Sequence, residues 1–427
     1  MNRSKIIKVS LLAIVLFFSV DRVPACSAYK VTVGGATRYG MNYDTWFEHP
    51  RIWFETTGFG AAFTGANDMG AAGFSPQAGM NVYGLSFGTL ATRTPDNGAP
   101  AVGKKPIPGR VQYLKDILHA CRTVEEVKAY IEQYDHSVLS NDVFLYTDRS
   151  GRYLVVEPYT LTLGDDASYV IANFCPSTVS DFHSITQQRY INGTAFLQYK
   201  IDTSLAFCTA LSDTMHVCRA KHGDGTLLTS IWDLQKGNVD LFFYHDYAHP
   251  VQFDLAAELA RGDHSYEISS LFPPNKEYQQ LLRFKTPLNS SALDGFLRFC
   301  FILFLLSAIY FPLSYFRNRT APYAGYKWML AAVSLVLMYY VFKLATEMGI
   351  FYFPAPYRDP GSMLLTLAGY LPFVILLAII PLLLINRKVV KEKAWRGTSR
   401  WLFTLNSTIY VALVALFAYW GLYAVFA

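Results

Sequence analysis

Hydrophobic positions along the chain fall into two regimes. Apolar runs occupy residues 9–20 and four stretches beyond residue 296, at about 299–316, 328–344, 363–385 and 401–426. Each of the four is long enough to cross the hydrocarbon core of a bilayer as a helix, whereas the N-terminal run is too short. Between these regimes, residues 26–291 read as an ordinary mixed globule. Alternating apolar and polar positions predict strands at 27–33, 37–43, 51–57 and 82–90, punctuated by Gly and Asn. The Gly-rich stretch 58–79 reads as turns between strands. Helical periodicity follows at 110–120 and 124–134, with Thr123 as a cap for the second helix. Strands return at 143–147, 153–157 and 169–172, helices at 185–199 and 203–217, and a last strand pair at 227–234 and 239–244 surrounds the turn Lys236-Gly237-Asn238. This order predicts stacked sheets enclosed by helical layers, an α+β fold, followed by an all-α four-helix membrane domain.

Charge sharpens the N-terminus and the topology. Arg3, Lys5 and Lys8 precede the first apolar run, and Val23 and Ala25 supply the small residues that signal peptidase prefers just before Cys26. The expected organisation is a signal peptide at 1–25, a globular domain at 26–291 and a transmembrane domain at 296–427. Arg317, Arg319 and Lys327 lie between the first two membrane runs, and Arg387, Lys388, Lys391, Lys393, Arg396 and Arg400 between the last two. The excess of positive charge predicts that both loops are cytoplasmic. The globular domain then lies on the extracytoplasmic side, the orientation a signal peptide also demands. Within the runs only Lys343 is ionisable, near an outer end, so the domain reads as an anchor or a route for a lipid-like substrate rather than an ion path. Pro372 and Pro381 are candidate kinks in the third run.

Other chemistries are excluded. A formal net charge of +5, with the basic excess in short loops, argues against nucleic acid as a partner. The Gly-rich stretch lacks the Lys-Ser or Lys-Thr of a phosphate loop, and the 9 His residues show no H-E-x-x-H spacing, so neither a cofactor nor a metal is expected. Cys300 falls in a membrane run. Cys121, Cys175, Cys208 and Cys218 face an oxidising compartment as thiols or as two disulfides, Cys208 with Cys218 being the easiest local closure.

Cleavage before Cys26 would expose a cysteine whose own α-amino group, with an ordinary pKa of roughly 8, can accept the thiol proton. Nucleophile and base then share one residue. A lipid-attachment cysteine is a rival reading, which Pro24 and the Asp21-Arg22 pair fit poorly. A plain disulfide partner is another. From Cys26-Ser27-Ala28-Tyr29 and Gly40-Met41-Asn42-Tyr43-Asp44 onward, the chain resembles the choloylglycine hydrolase and penicillin acyltransferase group of N-terminal-nucleophile enzymes, the linear amide hydrolases. Gly79-Met80-Asn81-Val82-Tyr83-Gly84-Leu85, the run from Phe144-Leu145-Tyr146-Thr147-Asp148 to Val155-Val156-Glu157, and Val170-Ile171-Ala172-Asn173 continue the resemblance to about residue 250.

The resemblance implies an αββα sandwich in which the Cys26 thiolate attacks an amide carbonyl and forms a thioester that water releases. Asp44 would orient the α-amino group, Asn173 would donate to the oxyanion, Asn42 would brace the site, and Asn81 would either bind substrate or close a turn. Choloylglycine hydrolases carry Arg where this chain has Met41, and Arg38 or Arg51 are the substitutes at hand. Of the family's later Arg there is no match, Thr229 and Ser230 lying in that strand region. The expected substrate is a small linear amide, such as an N-acyl amino acid or N-acyl amine with an apolar chain. Acyl transfer through the same thioester and a non-catalytic membrane sensor are the alternatives. N-terminal sequencing of the mature protein should return Cys-Ser-Ala-Tyr; a start at Ser27 or beyond would remove the nucleophile.

Overall fold

The computed structural model describes residues 26–45, 49–67, 73–92, 103–219, 224–353, 355–359 and 362–425. The expected signal segment 1–25 lies outside the described residues. The described chain divides into two compact units that meet at Arg283 and Phe284.

The first unit is built on two antiparallel sheets. One has the spatial order β10 (Ser168–Ile171), β1 (Ser27–Val33), β2 (Ala36–Thr45), β12 (Asp224–Asp233), β13 (Asn238–Phe243), β14 (Val251–Asp254), with β11 (Cys218–Arg219) beside β12. The other runs β15 (His264–Glu267), β3 (Arg51–Glu55), β4 (Ala61–Asn67), β5 (Phe74–Asn81), β6 (Ser86–Ala91), β7 (Asp142–Thr147), β8 (Tyr153–Val156), β9 (Leu161–Gly164). Helices α1 (Arg110–Ala120) and α2 (Val124–Ile131) cover the second sheet, burying Tyr113, Leu114, Ile117, Leu118, Val124 and Val127 against Phe63, Phe87 and Tyr146. Helices α3 (Gln188–Leu197) and α4 (Leu205–Met215) cover the first, where Leu197, Leu211 and Met215 meet Tyr29, Val31 and Ile231. Short helices α5 (Leu255–Leu259) and α6 (Lys276–Arg283) end the unit. The result is the αββα layering expected from the element order. Each large apolar side chain so buried contributes roughly 1.5–3 kcal/mol.

Local chemistry sets the boundaries. Thr123 caps α2 by accepting from the Glu126 N–H, while the Glu126 carboxylate takes the Arg122 N–H, so two orphan donors are satisfied together. The hairpin between β12 and β13 turns at Gly237, whose φ of 75° lies in the left-handed region. The stretch 58–79 differs from expectation, because most of it is strand. Gly65 serves close approach: a Cβ there would lie 2.0 Å from the Ser75 carbonyl oxygen, at an irregularity in the β4–β5 ladder. Gly88 on β6 does the same between the sheets, where a Cβ would lie 2.1 Å from the Tyr39 hydroxyl and 2.9 Å from the Met41 sulfur.

The second unit contains four helical stretches long and apolar enough to cross a membrane: Ser291–Arg317, Tyr326–Thr346, Met363–Lys391 and Gly397–Tyr419. These are α7 (Ser291–Arg317), α8 (Tyr326–Thr346), the pair α10 (Met363–Ala368) and α11 (Leu371–Lys391), and α12 (Gly397–Tyr419), with the single turn α9 (Gly349–Tyr352) between α8 and α10. The third stretch breaks at Gly369 and Tyr370, just ahead of Pro372, which has no N–H and sits in the first turn of α11. Pro381 remains inside that helix. Lys327, expected in a loop, lies in the first turn of α8, where its buried Nζ donates to the Ser314 carbonyl over the Trp395 ring. The Asn406 amide donates to the Ser307 hydroxyl across α12 and α7, and Ser314 and Ser399 bond at 2.9 Å along the same seam.

The tight sheet contact at Gly88 is testable. Gly88→Ala should destabilise the protein by about 1–3 kcal/mol through overpacking. Tyr39→Phe removes a hydroxyl that is buried without a partner among the described residues, and should restore part of the loss in the double variant. Unfolding midpoints of the single and double variants measure both effects.

Candidate active site

Cys26 stands directly before β1 and is buried. The β1–β2 ladder pairs Ser27 with Asn42, so its continuation sets Cys26 across from Tyr43 and beside Asp44. Successive residues of a strand face opposite sides. Ser27, Tyr29 and Asn42 therefore point to the α4 layer, and Ala28, Tyr39 and Met41 point between the sheets with Cys26. On the other flank, β1 pairs Ala28 with Ile171 of β10, and the same register carried two residues further brings Asn173 opposite Cys26. The register thus brings Asn173 to the face of Cys26, while Asp44 falls on the face of Asn42 and acts on the thiol through its backbone N–H and its charge.

Asp44 is held by Thr226, whose hydroxyl donates to its Oδ1 at 2.5 Å while accepting the Val217 N–H at 2.9 Å. Asn173 is clamped on every polar atom. Its N–H donates to Gln187 Oε1 at 3.1 Å, its carbonyl accepts from Gln187 Nε2 at 2.9 Å, one amide hydrogen goes to the Ala91 carbonyl, and its Oδ1 accepts from Arg189 Nη2 at 2.9 Å. Arg189 Nη2 also reaches Gln187 Oε1 at 3.0 Å. Arg189 was not singled out from the sequence. It enters the site from α3, and its guanidinium acts on the Cys26 thiol as well as on Asn173.

Burial pushes the Cys26 thiol up to about 12, the Asp44 charge adds to the rise, and the Asp44 N–H and the Arg189 guanidinium pull in the opposite direction. With residues 1–25 attached, the Cys26 nitrogen is a peptide amide and offers the thiol no base.

The remaining candidates lie apart. The Asn42 amide donates to the Ser212 carbonyl at 2.9 Å and accepts from the Thr229 hydroxyl at 2.8 Å, tying β2 to α4 and β12 on the outer face of the sheet. Asn81 donates to the Leu118 and Cys121 carbonyls, both at 2.8 Å, and accepts from the Tyr83 and Leu85 N–H groups. It closes the β5–β6 turn and supplies donors to the carbonyls at the end of α1. Arg38 pairs with Asp233 at 3.0 Å and Asp240 at 3.5 Å, and Arg51 bonds Ser265 and stacks on Phe74. Neither takes the place left by Met41. Ser230 accepts from Trp232 Nε1 at 3.0 Å. All six cysteines are outside disulfides, and the closure of Cys208 with Cys218 is not formed. Cys175 Sγ lies 3.8 Å from the Thr92 hydroxyl. Cys218, His245 and Glu277, from three separate segments, form a cluster of metal-ligating side chains that their sequence spacing concealed.

No protein-family model matches the chain, and no curated protein sequence matches it. Solved structures similar to it include a variant of conjugated bile acid hydrolase from Clostridium perfringens, at 17% identity over 59% of this chain and 99% of that one, with a TM-score of 0.46. A second variant of the same hydrolase gives 16% identity, 59% and 97% coverage and a TM-score of 0.43. Penicillin V acylase from Agrobacterium tumefaciens gives 13% identity, 57% and 91% coverage and a TM-score of 0.42.

Proposed function

We propose that this protein is a membrane-anchored linear amide hydrolase that uses Cys26 as an N-terminal nucleophile, with the hydrolase unit on the extracytoplasmic side. The observation that supports the reading is the strand register that sets Asn173 opposite Cys26, with the Asp44 charge and the Arg189 guanidinium both acting on its thiol. Removal of residues 1–25 would replace the Cys26 amide by an α-amino group beside the Asp44 carboxylate.

The amine takes the thiol proton, and the thiolate, steadied by the Arg189 guanidinium, adds to the amide carbonyl. The second amide hydrogen of Asn173 is offered to the oxyanion, in a carboxamide that Ala91 and Arg189 hold against rotation. Collapse breaks the C–N bond. The α-ammonium gives its proton to the departing amine, and a thioester remains on Cys26. Water, deprotonated by the same α-amine, then attacks the thioester, releasing the carboxylic acid and returning the proton to sulfur. The apolar helices favour substrates with an acyl chain soluble in lipid, such as N-acyl amino acids or N-acyl amines.

Purified mature protein should release the free acid from such amides and take up an electrophilic acyl probe at Cys26, and both should vanish in Cys26→Ala. Retained turnover in that variant would sink the proposal. Arg189 is assigned a positioning and charge role, so Arg189→Gln should raise the thiol pKa and move the pH profile of Cys26 alkylation to higher pH. By contrast, Arg189→Lys should move it less. An unchanged alkylation profile, with activity lost, would mean that Arg189 only supports Asn173.

A further inference from the structure

Cys218, His245 and Glu277 each present one potential ligand atom, and the three atoms lie within 4.8 Å of one another. They come from β11, from the turn after β13 and from the first turn of α6. A thiolate, an imidazole and a carboxylate at that spacing match the donor set and size of a tetrahedral zinc site, and their summed charge would neutralise a divalent cation.

The surroundings fix the His245 end of this arrangement, and Cys218 and Glu277 reach it from the surface. His245 is nearly enclosed, its side chain 7% exposed, with Nδ1 3.3 Å from the Glu277 carboxylate. Its Nε2 is buried without a hydrogen-bond partner among the described residues. Tyr244 and His245 both adopt left-handed backbone, with φ of 53° and 63°, a conformation that side-chain-bearing residues rarely take and that must be imposed by their surroundings. Asn275 imposes part of it: its amide donates to the Tyr244 carbonyl at 3.0 Å, and its Oδ1 accepts from the Glu277 and Tyr278 N–H groups, fixing the start of α6 against the turn. His216 stacks on His245 at 5.3 Å between ring centroids, and its Nδ1 lies 3.0 Å from the Asp213 carboxylate.

We infer that Cys218, His245 and Glu277 form a binding site for a zinc-class divalent cation, with a water as the fourth ligand. The site stands apart from the hydrolase assignment and does not rest on it. It has a structural consequence for Asp44 all the same. Val217, beside the cysteine ligand, accepts the Thr226 N–H at 2.8 Å and donates to the Thr226 hydroxyl that bonds Asp44. A cation would tie β11, the 244–246 turn and α6 into one unit next to the strut that holds the carboxylate.

The test uses the full chain in detergent, in a Cys26→Ala background so that the nucleophile cannot supply the sulfur signal. The metal-stripped protein is dialysed against zinc, and separately against cobalt(II). The expected result is one tightly held zinc per chain and a cobalt spectrum with a thiolate charge-transfer band. Cys218→Ser should abolish the band and weaken zinc binding by more than about tenfold, the loss that disturbing even an outer partner of a ligand can cause. Glu277→Gln, on the exposed start of α6, should weaken zinc while keeping the band, and guards against a folding defect in the cysteine variant. Zinc that binds equally well to both variants, or cobalt without a thiolate band, would overturn the site.

Discussion

A sulfur atom sealed from water under the influence of a carboxylate is hard to ionise, and the surroundings of Cys26 are organised around that difficulty. Desolvation and the Asp44 charge both hold the Cys26 proton in place, and Arg189 opposes them. Conversion of the Cys26 nitrogen from amide to amine would alter this balance in the direction chemistry needs. It introduces a base within the same residue and a cation, once protonated, for Asp44 to face. The carboxylate that disfavours thiolate in the uncut chain would then be the group that orients its activator.

What the sequence disclosed and what it hid follow from distance along the chain. Cys26 and Asp44 were legible because they lie on one hairpin, where register follows from alternation and a short turn. Asn173 was reachable through its motif. Its clamp was not, since Gln187 and Arg189 arrive on a segment whose position depends on how α3 packs on the outer face of the sheet. The missing guanidinium was sought at Arg38 and Arg51 because they lie near Met41 in sequence. Arg38 is instead drawn to Asp233 and Asp240 on neighbouring strands, a cross-strand pairing that periodicity alone does not reveal. The stretch 58–79 misled for a related reason: Gly65 and Gly79 signal backbone crowding within a sheet as readily as a turn.

The same argument covers the cation ligands. Cys218, His245 and Glu277 have no motif spacing, and only the strained turn after β13 and the Asn275 bridge bring them together. Met41 shows the converse, a residue whose departure from the family pattern is plain in the sequence and whose accommodation is visible only in space. Its thioether lies against Gly88 between the sheets, where an unpaired guanidinium would be costly.

In the apolar unit, the bonds from Asn406 to Ser307 and from Ser399 to Ser314 join the last helix to the first. Hydrocarbon offers these groups no competing solvent, so each acts as a key that fits one rotational setting of the two helices. The bundle is thereby closed upon itself as a ring, and its final helix is a keystone whose docking completes the other three.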